Sequence, residues 1–446
     1  MAKPFRDRIF RSVQNTSIWF DSRFTAAGRL LLLGLIIACI YALDPRQTSA
    51  YQLAAAIAGA MIVAFLLSFA KHRRFEIRRT LPKFLTVGET GLYTIQITNL
   101  TSQKSNDISV RDRLSPGMMP SAASSAFVEA SQLGWIERKL GFLPWLSKQR
   151  HLLGARLLPS AVHSVAAGGS ISISQDIVPL RRGNIYFKGT DIRQTEILGL
   201  VRHVRHYHCQ DKITALPPRI ELPSVAWQSQ RLFHRGGITV ASTVGDSQEF
   251  IGLRDYRPGD PLRQIHWRSF AKLGHPVVRE FQDEYFNHHA LVLDTSVRYG
   301  EEFLFEVAAS VAVSFVQTKQ PNDSLLDLVM VDDFSWSATA GRGANDRAHL
   351  LEHIAIVTAR VDNGTTRDRA LHTKKLMHCN SVVFITCRAD QQSKDSVSKL
   401  RRAGISVLAL CIVKNKVALE DFHQIEATLV GQQLPALLEK LGHANR

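Results

Sequence analysis

Two apolar stretches near the start of the chain constrain its fold more than any other feature. Leu30 to Leu43 reads LLLLGLIIACIYAL, and Ala50 to Ala70 reads AYQLAAAIAGAMIVAFLLSFA. The second carries no charge along its length and can cross a hydrocarbon core of about 30 Å. Only DPRQTS separates them, a short turn opened by Asp44 and Pro45. Such a pair reads as a transmembrane helical hairpin over 28–70, preceded by a tail over 1–27. A cleaved signal peptide is the poorer reading, because the basic region is long and a second span follows at once.

The charge pattern orients this hairpin. Lys3, Arg6, Arg8, Arg11, Arg23 and Arg29 precede it, and Lys71, Arg73, Arg74, Arg78 and Arg79 follow it. Against them stand only Asp7, Asp21 and Glu76, so the flanks account for about half of the formal +16. The positive-inside rule then puts both termini in the cytoplasm. A strongly basic chain also invites a nucleic-acid reading. Anionic lipid explains the same excess, since basic residues gain from the surface potential of the inner leaflet. The five cysteines have no CxxC spacing, so neither a zinc site nor a disulfide framework is expected, and reduced thiols suit a cytoplasmic body.

Beyond the hairpin, 446 residues leave room for two or more domains. Over 71–215 the pattern is β-like. GLYTIQITNL (Gly91–Leu100) alternates, SISISQDIVP (Ser170–Pro179) repeats the alternation, and NIYFKGTDI (Asn184–Ile192) reads as another strand. An antiparallel β-sandwich-like domain is expected, with an insertion at about 118–165. Within that insertion, 132–150 mixes Trp135 and Trp145 with Arg and Lys. It suits either a membrane interface or a helix packed on its own domain. Over 286–446 apolar strands alternate with helical stretches. The strands are expected at His289–Ser296, Leu325–Asp333, Ser381–Cys387 and Ile405–Val413. The helical stretches are expected at Phe303–Val316, Asp346–Val361, Thr366–Met377 and Gln391–Arg402. That order predicts an α/β domain with a mostly parallel sheet covered on both faces.

Between the two lies the signature region, 216–285. Its core, EFIGLRDYRPGDPLRQIHWRSFAKLGHPVVREFQDE, interleaves cations, acids and aromatics. A turn is expected at Pro258-Gly259-Asp260 and a short helix ending at Gly274, burying Trp267 and Phe270 while Arg263 and Arg268 face out. The residues that stand out for docking or interdomain contact are Glu249, Arg254, Tyr256, Arg257, Asp260, Arg263, His266, Trp267, Arg279 and Glu280. His266 with Asp260 or Glu280 could form a general-base pair, the arrangement a hydrolase would need, and the arginines could hold an anion. No Gly-rich phosphate loop or HExxH accompanies them. Alternating Arg and acid side chains are more often a structural ion-pair surface.

This motif resembles the signature of the bacterial domain-of-unknown-function family 58. The strand that follows it ends Asp294-Thr295-Ser296, similar to the first strand of a von Willebrand factor type A-like domain. The resemblance implies an inner-membrane protein found with MoxR-type AAA+ ATPases and transglutaminase-like membrane proteins. It names no activity. The family's Asp-Pro-Phe-Gly-Leu-like turn is reduced here to Thr195-Glu196-Ile197-Leu198-Gly199-Leu200. A type A metal site needs Asp-x-Ser-x-Ser, but Arg298 stands where the second Ser would be, and the later strand ends Thr386-Cys387 rather than Ser-Asp. A degenerate site at Asp294 and Ser296, with no divalent metal or other cofactor, is therefore expected. The expected function is that of a scaffold or adaptor rather than an enzyme.

Overall fold

A computed structural model of the chain describes residues 2–42, 48–69, 74–116, 142–158, 163–223, 248–283, 287–318, 324–331, 336–340, 344–361, 376–415 and 421–444. The expected tail is instead helix α1 (Ala2–Arg23), followed by α2 (Ala26–Tyr41) and α3 (Thr48–Phe69). Thr25 is extended and N-caps α2, its Oγ1 accepting from the Gly28 N–H at 3.1 Å, so α1 and α2 are separate rods. Ser49–Phe69 within α3 is long and apolar enough to cross a membrane. At 1.5 Å per residue α2 extends about 24 Å, less than a full hydrocarbon core. It packs along α3, and both helices expose large apolar side chains such as Leu30, Leu33, Ile36, Ile62 and Leu66.

The β domain is two packed sheets. It comprises β1 (Phe75–Thr80), β2 (Phe84–Thr86), β3 (Gly91–Asn99), β4 (Ser105–Ser115), helix α4 (Phe142–Leu153), β5 (Ala155–Leu157), β6 (His163–Val165), β7 (Ser170–Pro179), β8 (Gly183–Thr195), β9 (Arg202–Tyr207) and β10 (Asp211–Leu216). One sheet runs β1-β3-β7-β5. The other runs β2-β10-β8-β4-β6, with β9 added to β8. Ile95, Ile97, Ile108, Ile177, Ile185 and Phe187 fill the space between them. The insertion is shorter than expected, because β5 and β6 already belong to the sheets; residues 117–141 lie outside the described part. Trp145 of α4 is buried and meets Phe10 of α1 edge-on at 5.7 Å, so this end of the segment packs on the N-terminal helix.

Arg79 is not a membrane-flank cation. Its side chain is fully buried in the sandwich, bonded to Asp112 at 2.8 Å and to Asp211, with Phe187 4.4 Å away. Strand alternation turns Arg79 toward the interior, and Tyr93 completes the Asp112 carboxylate at 2.6 Å.

The turn that departs from the family pattern ties this domain to the apolar helices. The buried Glu196 carboxylate accepts the backbone N–H groups of Leu198, Leu200 and Val201. Gly199 takes a left-handed φ of 74°. Thr25 Oγ1 then donates to the Gly199 carbonyl at 2.6 Å, and the Thr25 N–H donates to the Leu200 carbonyl at 3.0 Å. A Cβ at Gly28 would lie 2.1 Å from that Leu200 oxygen, which explains the glycine.

The signature region folds as a hairpin, β11 (Gln248–Asp255) antiparallel to β12 (Val277–Asp283), with α5 (Trp267–Leu273) between them. The α/β domain follows: β13 (Asn287–Asp294), β14 (Ser296–Val297), α6 (Glu302–Gln317), β15 (Ser324–Val331), β16 (Trp336–Ala340), α7 (Ala344–Ile356), β17 (Arg360–Val361), β18 (Ser381–Thr386), α8 (Gln391–Arg402), β19 (Ser406–Val413), β20 (His423–Glu426) and α9 (Val430–Ala444). The expected stretch Thr366–Met377 lies mostly outside the described residues. The main sheet is ordered β16-β15-β13-β18-β19-β20 and is parallel except for the β16 edge. Leu291 and Leu293 face α6, α7 and α9, while Ala290 and Val292 face α8. Alternate residues are thus buried on opposite faces, which is why these strands read as unbroken apolar runs.

The two soluble domains meet through a residue that sequence reading did not single out. Arg182, in the β7–β8 turn and 1% exposed, forms a two-bond pair with Glu306 of α6 at 2.8 and 3.2 Å. Its other terminal nitrogen donates to the Ile354, Ala355 and Val357 carbonyls at 2.9, 3.1 and 2.5 Å, at the end of α7. A guanidinium there satisfies orphan helix carbonyls and the negative end of the helix dipole. The Ile220 N–H donates to Ser314 Oγ at 2.8 Å, and Phe84, Leu216, Ile220 and Leu222 join the α/β core.

Candidate functional site: a braced hairpin and the end of the parallel sheet

The hairpin is stiffened from within. Arg254 donates two parallel hydrogen bonds to Asp260, at 2.7 and 2.8 Å, and the Arg257 N–H adds a third at 2.9 Å. These donors lower the Asp260 carboxyl to about 2. The turn closes as expected, the Asp260 N–H donating to the Arg257 carbonyl at 3.0 Å with Gly259 at φ 108°. The Tyr256 N–H donates to Pro276 O, and the His266 N–H donates to Val277 O at 2.8 Å. Ile265, Val277 and Val278 form a small buried core, and Gly274 ends α5 with a left-handed φ.

One expectation is reversed. Trp267 and Phe270 are not buried: Trp267 is 61% exposed, and Leu262 and Leu273 are 66% and 55% exposed. A seven-residue helix on a two-stranded ribbon has one narrow inner side, and Ile265 already occupies it. The indole instead meets Phe270 edge-on at 6.0 Å on an open face, with Arg263 and Arg268 also exposed.

Of the other residues singled out, Arg257 and Arg279 are exposed and Tyr256 is half-buried. The side chains of Glu249 and Glu280 lie outside the described part. Among the described residues no hydrogen bond joins His266 to Asp260, whose carboxylate is occupied by Arg254 and Arg257. His266 Nδ1 lies 2.7 Å from Ser269 Oγ, a partner that the His-x-x-Ser spacing at a helix start could have revealed. No third group orients this imidazole through a described hydrogen bond.

The second locus lies at the carboxyl ends of β13 and β18, where the chain changes direction across the sheet and open α/β folds place ligands. Asp294 accepts from the Ser296 N–H and hydroxyl at 3.0 and 2.7 Å, and from Thr386 Oγ1 at 2.9 Å. All three side chains are buried. One carboxylate and two hydroxyls fall short of the oxygen set a hard divalent cation takes, so these residues do not fit such an ion. Cys387 beside them is held well above the usual thiol range by burial and the Asp294 charge. Burial likewise pushes Cys379 and Cys411 up to about 12, leaving these thiols inert rather than nucleophilic.

Residues 252–418 match the family described as Protein of unknown function DUF58. The DUF58 stretch begins within β11 and takes in the hairpin, the Asp294 locus and the sheet through β19. The chain is also 21% identical over 189 residues to the uncharacterized protein YeaD of Bacillus subtilis, covering 42% of this chain and 46% of YeaD. The match therefore spans less than half of that relative. Among solved structures, Escherichia coli alpha-2-macroglobulin aligns over 32% of this chain and 7% of its own, at 18% identity and a TM-score of 0.20. The CARDB domain of PF1109 from Pyrococcus furiosus covers 32% of this chain and 96% of its own, at 9% identity and a TM-score of 0.18. Those scores carry no argument about fold or function.

Proposed function

We propose that this chain is a membrane-anchored scaffold whose DUF58 hairpin docks a protein partner, with a MoxR-type AAA+ ATPase as the partner suggested by resemblance. The carrying observation is the open apolar face of Leu262, Trp267, Phe270 and Leu273 on a hairpin that is braced from within. Exposed tryptophan on a preorganised support is the composition of a binding hot spot, and its apolar surface is too concentrated to be incidental. In this reading α2 and α3 form the two-helix hairpin in the bacterial inner membrane, with both termini cytoplasmic. The sheet with its β16 edge is a von Willebrand factor A-like domain without a working metal site. A transglutaminase-like membrane protein is the second expected neighbour.

Of the two pairs the hydrolase alternative offers, Asp260 serves Arg254 rather than His266, and the Glu280 side chain lies outside the described residues. Arg79 and Arg182 are consumed inside the fold, which takes two of the cations away from any nucleic-acid surface.

Trp267→Ser combined with Leu262→Ser is expected to abolish co-purification of the ATPase from solubilised membranes without changing the melting temperature. Undiminished recovery by the folded variant would refute the docking role. Arg254 reversal is a poorer test, because it also breaks the brace.

A further inference from the structure

α1 presents an apolar row that the other described residues leave exposed. Ile9, Val13 and Phe20 fall on one side of the helix, and Val13 is 52% exposed. The other side carries Arg8, Arg11 and Asn15, together with the large apolar Ile18. At the junction with α2, Trp19, Phe20 and Phe24 cluster, with ring centroids 5.3 to 6.1 Å apart. Aromatic rings at that level are the usual anchors of a membrane–water boundary.

Beside this junction the outer face of the sandwich is cationic. Ile192 points into the core, so Asp191 and Arg193 on β8 point outward, and register places Arg111 of β4 and His206 of β9 opposite Asp191. The carboxylates near Arg193 are Asp191, which already serves Arg113 at 2.6 Å and His206 at 2.9 Å, and Asp21, which already pairs with Arg29. Arg193 Nε is buried without a hydrogen-bond partner among the described residues. Burial, followed by the charge of Arg111, lowers Arg193 to about 10. Arg202 adds a further cation, reaching the Asp21 carbonyl of α1 at only 3.5 Å. Like charges gathered at one place leave a site that gains from an anion.

We propose that α1 lies in the plane of the inner leaflet, its Ile9–Val13–Phe20 row among the acyl chains, while Arg111, Arg193 and Arg202 hold anionic phospholipid headgroups. The occupant is the bilayer rather than a protein for two reasons. The row is continuous through Phe24–Thr25 with the apolar helices, and the flanking cations match phosphodiesters. This rests on the membrane anchoring proposed above and adds a second, peripheral contact. Thr25 and the Gly199–Val201 turn would then fix the sandwich against the headgroups.

The test uses the full-length protein in phosphatidylcholine vesicles, with or without phosphatidylglycerol brominated on its acyl chains. Tryptophan is added singly at Val13→Trp, at Asn15→Trp on the opposite side, and at Phe65→Trp within α3. The proposal expects brominated phosphatidylglycerol to quench most of the emission added at 13 and at 65, but not at 15. It also expects Arg111→Gln, Arg193→Gln and Arg202→Gln together to restore emission at 13 alone. Quenching at 65 with none at 13, or a blue shift at 13 that follows self-association instead of lipid, would overturn the interfacial helix and leave the anchor standing. Absence of quenching at 65 would overturn the anchor and this proposal with it.

Discussion

Arg182–Glu306 and Arg254–Asp260 are both two-bond arginine–carboxylate pairs, yet they sit in opposite settings. The first joins the β-sandwich to the α/β domain through a buried guanidinium that also closes the end of α7, with Glu306 partly in water. The second lies in a small hairpin whose apolar face is open to solvent. Losing Arg182 would leave Glu306 partly in water but strand the buried carbonyls at the end of α7 without a donor. A solvated pair contributes little to global folding but can still fix a local shape. Arg182 links the two domains, and in the proposed reading the signature motif shapes a docking face.

The largest effect should come from that link. Arg182→Ala is expected to cost about 1–3 kcal/mol, since it leaves buried helix carbonyls without a donor. It should also split one melting transition into two in calorimetry. Arg182→Lys should rescue little, since a single ammonium cannot span Glu306 and three carbonyls. A single unshifted transition would break the distinction drawn between the two pairs.

Acid should separate the two regions next. His289, buried between β13 and β18 with Nδ1 2.7 Å from Ser381 Oγ, is lowered to about 4 by burial and then by the charge of His288. Its folded pKa lies below the unfolded value of about 6.5, so the unfolded state takes up the proton first. Stability linked to His289 is full above pH 6.5 and is lost as pH falls toward 4, by roughly 3 kcal/mol. Asp260 is also depressed, so its contribution is full above pH about 4 and is lost only as pH approaches 2. Hydrogen exchange should thus show the α/β sheet weakening first, with residues 248–283 keeping their protection. His289→Asn should flatten the first phase.

The smallest expected effect is none. Added Mg²⁺ or Ca²⁺ should leave the melting temperature unchanged, since Asp294 is committed to Ser296 and Thr386. An Asp294-dependent rise would reopen a metal role.

Much of this was legible where one physical cause dominates. Both-face burial made β13, β15, β18 and β19 readable as apolar runs, and the helical stretch expected at Gln391–Arg402 is α8, which Asp390 caps through the Ser393 N–H. Pro-Gly-Asp and Gly274 gave the bends of the hairpin. Arg182 and Arg79 were not legible, because a cation inside a turn or strand looks the same whether its partner is water or a carboxylate distant in sequence. The exposure of Trp267 failed for a related reason. Helical spacing shows which residues share a side, but not whether a neighbouring layer exists to cover it. α1 was missed because its apolar residues are few and interleaved in sequence with arginines and polar residues, so the run reads as a basic tail.

The most direct test of the docking claim is photo-crosslinking in native membranes from a benzoylphenylalanine at position 267, followed by mass spectrometry. The account predicts one dominant adduct with an AAA+ ATPase, lost when Leu262→Ser is added and retained in Arg279→Gln. Adducts spread over unrelated proteins, or an ATPase adduct indifferent to Leu262, would contradict it.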